Sequence, residues 1–121
     1  MNYSIGQISE KTGLTTHAIR YYEKEGLLTN IKRNENGIRK FSDDDIIWIS
    51  LISCLRETGM SIKDIKYMVD LSLKGKHTVA QRKSILENHK KKVQKQIDDL
   101  QNAVKKIDSK LAYYNSNNSK C

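Results

Sequence analysis

TGLTTHAIRYYEKEGLL, residues Thr12 to Leu28, decides how the rest of the chain is read. Gly13 suits the left-handed backbone that ends a helix, and Gly26 ends a second one in the same way. Between them Thr15 or Thr16 caps a helix running to about Glu25. Upstream, Ser4-x-x-Gln7 has the form of a capping box and opens a short first helix with Ile5 and Ile8 inward. Helix, tight glycine turn, helix is the helix-turn-helix pattern. On the second helix Ala18, Ile19 and Tyr22 turn toward a core, while His17, Arg20, Tyr21 and Lys24 share the opposite side. A guanidinium fork and a phenol suit phosphate, and Thr16 and His17 sit at the helix start, where base edges are reached. The plainer reading of such a face is solvated surface. The turn, a basic wing downstream and the net charge tip the balance toward DNA.

Downstream, Leu27, Leu28, Ile31, Ile38 and Phe41 frame the polar run Lys32-Arg33-Asn34-Glu35-Asn36-Gly37. Asn36-Gly37 signals a two-residue hairpin, so residues 30–34 and 38–41 read as a β-ribbon wing whose basic tip holds Lys32 and Arg33. Ser42-x-x-Asp45 caps a third helix to about Thr58, apolar on most sides and so expected in a core or an interface. Ser61-x-x-Asp64 caps a fourth, which Gly75 stops. From Thr78 the apolar residues Leu86, Val93, Ile97, Leu100, Val104, Ile107, Leu111 and Tyr114 follow a heptad seam with Lys90 as its polar break. A helix of about 36 residues at 1.5 Å each, roughly 54 Å, with so narrow a stripe wants a second copy of itself. The expected fold class is mainly α: a winged helix-turn-helix head with a small β-ribbon wing, a second helical pair, and a long C-terminal dimerisation helix. The expected boundaries are 1–75 for the DNA-binding head, 78–114 for the coiled-coil helix, and 115–121 for a polar tail.

The 121 residues carry 22 Lys+Arg against 14 Asp+Glu, a formal charge of +8. That surplus favours a polyanionic partner. It sits at both ends: residues 79–121 hold 10 basic and 4 acidic side chains, residues 1–41 hold 7 and 4, and the middle is near neutral. No apolar run is long enough to span a bilayer, and MNYSIGQISE lacks the apolar centre of a secretory signal. An anionic-membrane binder would also need a bulky apolar face opposite a basic one, which is missing. Two distant cysteines fit a reduced, cytoplasmic setting. The chain has no proline, so nothing interrupts long helices. No Ser-His-Asp set, carboxylate pair or phosphate loop points to an enzyme. Asp43-Asp44-Asp45 is explained as favourable charge at a helix N-terminus.

The run YSIGQISEKTGLTTHAIRYYEKEGLL, with IRKF after it, closely resembles the head of the MerR-type bacterial transcription regulators. The resemblance continues through GMSIKDIKYM and, in architecture, through the long helix, covering about residues 2–114. It implies a homodimer on double-stranded promoter DNA, joined by an antiparallel coiled coil through Leu86, Val93, Ile97, Leu100, Val104, Ile107 and Leu111. It implies that Arg20 and Tyr21 touch the DNA backbone, that Thr16 and His17 begin the recognition helix, that Arg39 is the wing arginine, and that Lys66 and Tyr67 lie on a further wing. It also implies a mechanism in which the protein bends and untwists a promoter whose polymerase elements are badly phased, so that RNA polymerase can use it. For Tyr67 the residues alone leave core and contact equally open.

Most family members add an effector part after the dimer helix, and the expectation here is that there is none. Family metal sensors pair a cysteine near the start of that helix with others in a loop after it. Position 79 is valine and only Cys121 follows, while His17, His77 and His89 lack ligand spacing. No metal and no cofactor are therefore expected. Cys54, in ISCLRETGM, reads as a small buried hydrophobe or as a sensor. The resemblance supplies the second reading, because short regulators of the family that answer aldehydes and thiol stress carry a cysteine in a similar setting. A competing function of another class is a coiled-coil interaction module whose basic head binds RNA or an acidic protein. Preference for duplex DNA with a steep salt dependence separates the two.

Overall fold

The computed structural model describes residues 2–29 and 31–116. Two compact units divide the chain after Arg82. In the first, every α-helix opens on a hydroxyl cap. Ser4 and Gln7 form a reciprocal capping box at the start of α1 (Ile5–Thr12), which Gly13 closes in the left-handed conformation. The Thr15 hydroxyl accepts from the Ala18 N–H at the start of α2 (Thr16–Lys24), so Thr15 is the cap of the two candidates. The turn between these helices is shaped by side chains. Ser9 Oγ donates to the Leu14 carbonyl, and Thr12 Oγ1 donates to the Ile8 carbonyl while accepting from Leu14 N–H. These bonds satisfy the backbone groups that a tight turn leaves unpaired.

The wing consists of β1 (Lys32–Arg33) and β2 (Arg39–Lys40), antiparallel, with Lys32 opposite Lys40 and Arg33 opposite Arg39. Its turn corrects the two-residue reading. Asn34 N–H donates to Ile38 O and Gly37 N–H to Asn34 O, so three residues, Glu35, Asn36 and Gly37, form the loop. Gly37 takes the positive φ (77°) that a type I turn followed by a bulge requires. The Asn34 side chain accepts from both Asn36 and Ile38 N–H groups and holds this geometry. The ribbon is also shorter than expected. Phe41 pairs with Tyr3, across the chain start, through two backbone bonds of 2.7 and 2.8 Å. Asn30, the expected first ribbon residue, lies outside the described residues, as do 117–121 of the expected tail.

Helix α3 (Asp43–Glu57) begins on a Ser42–Asp45 capping box with three aspartates in its first turn, and α4 (Ile62–Lys74) begins on Ser61. Both α2 and α3 pack on α1, and α4 packs on α3. The core they close holds Ile8, Ile19, Leu27, Phe41, Ile49, Ile52, Ile65, Met68 and Val69, all at most 2% exposed. Burying each large aliphatic side chain contributes about 1.5–3 kcal/mol. Trp48 joins this core at its edge, donating its indole N–H to the Leu27 carbonyl at 2.8 Å.

Helix α3, expected in a core or an interface, gives only one side to the core of this chain. Ile49, Ile52 and Leu55 are its buried residues, whereas Ile47 is 70% exposed, Leu51 half-buried and Cys54 exposed. Positions 47, 51 and 54 fall on one stripe of a helix. Within this chain the buried-hydrophobe reading of Cys54 therefore does not hold.

A 3-10 turn, Lys76–Thr78, leads into α5 (Val79–Asn115). Thr78 is buried, with its hydroxyl 2.7 Å from the Leu71 carbonyl and 2.8 Å from that of Gly75; it accepts from Arg82 Nε at 3.1 Å. The first unit thus extends past the expected break at 75–78, through residues that Thr78 and Arg82 tie together. The 37 residues of α5 include none that is buried. Leu86 and Val93 are half-buried, and Ile97, Leu100, Val104, Ile107 and Leu111 are exposed, Leu100 at 66%. The ion pairs Lys83–Glu87 and Lys95–Asp99 lie at i,i+4 spacing along the same helix.

Candidate nucleic-acid interface

Helix α2 presents the face that its sequence spacing predicts. Ile19 and Tyr22 are buried and Ala18 half-buried; His17, Arg20, Tyr21 and Lys24 are exposed, Tyr21 at 44%. Thr16, at the first helical position, is half-buried. Arg20 and Lys24 have no carboxylate within ion-pair distance among the described residues, so their charges face solvent uncompensated. Burial raises the pKa of the Tyr22 hydroxyl, an effect that the nearby Arg56 charge partly opposes.

The wing has two chemically distinct faces, because side chains alternate along a strand. Lys32 and Lys40, directly opposite each other in the ribbon, repel and have no acidic partner among the described residues. Arg33 and Arg39 occupy the other face and meet Glu23 of α2. Arg39 Nε donates to Glu23 Oε1 at 2.5 Å, and Arg33 Nη2 lies 3.8 Å from Glu23 Oε2. Arg33 Nη1 also donates to the Gly37 carbonyl at 2.9 Å. Arg39, read from the sequence as a DNA contact, is thus engaged within the protein. Glu23 was not singled out by sequence reasoning. Its signal is an acid on a short helix whose exposed face is otherwise cationic, with two arginines on the ribbon that comes next in the chain.

Lys66 and Tyr67 lie on the exposed side of α4, Tyr67 at 54%. That exposure takes Tyr67 out of the core. The Lys66 ammonium rests against the turn after α2, where a Cβ added to Gly26 would stand 2.8 Å from Nζ. Gly26 has φ of 79°, so a side chain there meets both a strained backbone and this lysine. Recognition helix, wing and α4 are thereby linked through Glu23 on one side and Gly26 on the other.

This arrangement matches a described family. Residues 3–71 match "MerR HTH family regulatory protein", and residues 47–110 match "MerR, DNA binding". An HTH-type transcriptional regulator of Haemophilus influenzae is 42% identical over 94% of this chain and 84% of its own length. The chain belongs to the MerR family. It is a DNA-binding transcriptional regulator of that family, and its MerR-type relatives are regulators rather than enzymes. The HTH-type transcriptional regulator AdhR of Bacillus subtilis is 38% identical over 74% of this chain and 64% of its own length. In three dimensions the chain is similar to HiNmlR, described as a MerR family regulator lacking the sensor domain, bound to promoter DNA. That match has a TM-score of 0.87 and 42% identity, covering 95% of this chain and 91% of the other.

Among the described residues of this MerR-family chain, no group of three or more His, Cys, Asp and Glu side chains is placed to hold a metal ion. No helix there is long and apolar enough to cross a membrane. Cys121, the second thiol, lies outside the described residues.

Proposed function

We propose that this regulator binds promoter DNA in the cytoplasm as a homodimer, with α2 in the major groove and the wing and α4 against flanking phosphates. The observation that carries this reading is the exposed face of His17, Arg20, Tyr21 and Lys24, on a capped helix joined by Glu23 to a cationic wing. Arg20 and Tyr21 supply phosphate contacts, as do Lys32 and Lys40; Thr16 and His17 face base edges. Lys66 and Tyr67 extend the contact beyond the recognition helix. The description of HiNmlR as bound to promoter DNA, at 42% identity, supports the same partner.

The homodimer reading rests on α5. An apolar heptad seam exposed along this helix is removed from water when two such helices pair, and the family resemblance supplies the antiparallel sense. Two heads on one dimer call for an inverted repeat in the DNA. Regulation then proceeds through the shape of the promoter, at a cost of a few kcal/mol of deformation, and presents it to RNA polymerase in usable register. The exposed Cys54, beside exposed Ile47 and half-buried Leu51, is the candidate sensor. Its thiol adds to the carbon of an aldehyde, the sulfur–hydrogen proton passing to the oxygen, and the adduct changes what that stripe packs against.

Selection of bound duplexes from a random pool, followed by sequencing, tests the central reading. The expected result is an inverted repeat. Arg20→Ala then weakens binding to every duplex, and His17→Ala alters base preference. Recovery of no common sequence, or equal affinity for single-stranded RNA, overturns it. In a promoter–reporter assay Cys54→Ser is expected to abolish the aldehyde response and keep DNA binding; a retained response overturns the sensor assignment.

A further inference from the structure

Glu23 is an anomaly on a DNA-facing helix. A carboxylate there repels phosphate, yet this one is only 21% exposed and its two oxygens are divided between two wing arginines. Arg39, 28% exposed, meets Oε1 through Nε; Arg33, 46% exposed, approaches Oε2. The opposite face of the same ribbon, Lys32 and Lys40, has no such acid among the described residues. One face of the wing is therefore cationic and open, and the other is cationic and partly neutralised by the recognition helix. Two-residue strands and a three-residue loop bury little apolar surface of their own; buried Phe41 anchors the end of β2, and the Glu23 ion pairs tie the ribbon itself to α2.

Resting on the DNA-binding reading above, we propose that Glu23 is a specificity-determining positioning residue. By holding Arg39 and Arg33 it sets the distance between wing and recognition helix, so that both reach DNA as one body. It also withholds two guanidinium groups from phosphates of any sequence. Correct DNA is then bound through contacts already in register, and incorrect DNA is denied two arginines that would bind it regardless of sequence. In a dimer the device acts twice.

The test measures affinity by fluorescence anisotropy over a series of KCl concentrations, on a random-sequence duplex and on the inverted-repeat duplex obtained by selection. The proteins are wild type, Glu23→Gln, Arg39→Met, the double variant, and Glu10→Gln. The last removes one negative charge from the exposed surface of α1. Glu23→Gln is expected to tighten binding to random duplex and to steepen its salt dependence by about 0.9 in log–log slope for each phosphate newly neutralised. Its preference for the selected duplex is expected to fall about tenfold, the combined effect of two released clamps. Arg39→Met lowers that preference without tightening random binding, and the double variant loses no more preference than Glu23→Gln alone, because removing Glu23 already removes the Arg39 clamp.

If Glu23→Gln shifts both duplexes equally, as Glu10→Gln does, the positioning role is overturned while the DNA reading stands. If the wild type itself fails to discriminate between the duplexes, the DNA reading fails and this inference with it. Should Glu23→Gln lose its fold by circular dichroism, Glu23→Asp keeps the charge and withdraws its reach. It is then expected to lose preference with an unchanged salt slope, and full preference in Glu23→Asp overturns the proposal.

Discussion

Ile52 and Leu100 are both aliphatic residues in the middle of helices, and they meet opposite surroundings. Ile52 is 0% exposed, one of the residues that form the first unit's core with Ile8 and Ile49; Leu100 is 66% exposed on α5. The first unit closes its own core. The starts of α1 to α4 are capped and the core is covered by the chain itself, while the α3 stripe of Ile47, Leu51 and Cys54 stays open. The second unit has helical regularity and i,i+4 ion pairs but leaves its stripe in water. On the homodimer proposed above, the difference separates stability that belongs to one chain from stability that depends on a second copy. The apolar pattern already points to it, since α3 is apolar on most sides whereas α5 carries only a narrow heptad stripe.

The sharpest way to break this comparison is Leu100→Asp with Val104→Asp. If the seam pairs two chains, like charges from both copies enter one interface without partners, costing several kcal/mol. Sedimentation is expected to show monomer, and the melting temperature is expected to lose the rise with protein concentration that a dimer shows. A double variant that still sediments as a dimer removes the seam. Ile52→Ala is the counterpart in the first unit: about 2–5 kcal/mol lost in urea denaturation, by creating a cavity that the chain itself must bear. Its effect is expected to be independent of protein concentration wherever the seam is intact.

The caps, the turn glycine, the recognition-helix face and the heptad seam were legible because each rests on residues within one or two turns of each other. What was not legible joins distant parts. Glu23 meets Arg39 sixteen positions away, and Phe41 pairs with Tyr3. The exposed stripe Ile47, Leu51, Cys54 was hidden for a related reason: apolar composition says that a helix side prefers cover, not which neighbour supplies it. The wing turn departs from the two-residue form that Asn36-Gly37 favours, because the Asn34 side chain accepts from the N–H groups of Asn36 in the loop and Ile38 just after it. Arg39 shows the same limit at the interface, since a cation's partner is decided by the fold and not by its place in a motif.

A smaller effect bears on how the first unit is sealed. Thr78→Val leaves the Leu71 carbonyl and the Arg82 guanidinium without their hydroxyl partner in a buried place. The expected loss is about 1–3 kcal/mol by urea denaturation. A loss within error would mean that this junction contributes nothing to the closure of the unit.

The smallest expected effect lies at alkaline pH. Burial raises the Tyr22 pKa, and a hydrogen bond donated to Asp43 at 2.8 Å raises that of Tyr3. The unfolded chain gives up these protons first, near the ordinary tyrosine value of about 10. The stability they protect is whole below that pH and is lost as pH rises through the folded values. Tyr22→Phe is expected to flatten the decline of melting temperature above pH of about 10. An unchanged decline would show that burial of this hydroxyl does not couple to folding.

The contact between Lys66 and Gly26 has a consequence for sequence drift. An alanine at position 26 would have to displace the Lys66 ammonium and still occupy a left-handed backbone, which costs a non-glycine residue roughly 1–2 kcal/mol. Shortening position 66 relieves the first obstacle and leaves the second. The two positions, far apart in the chain, therefore stand under unequal constraint: the lysine is free to vary while the glycine stays, and the glycine is held by its backbone whatever faces it. A lineage of this chain is expected to explore new cations on α4 long before it alters the turn that ends the recognition helix.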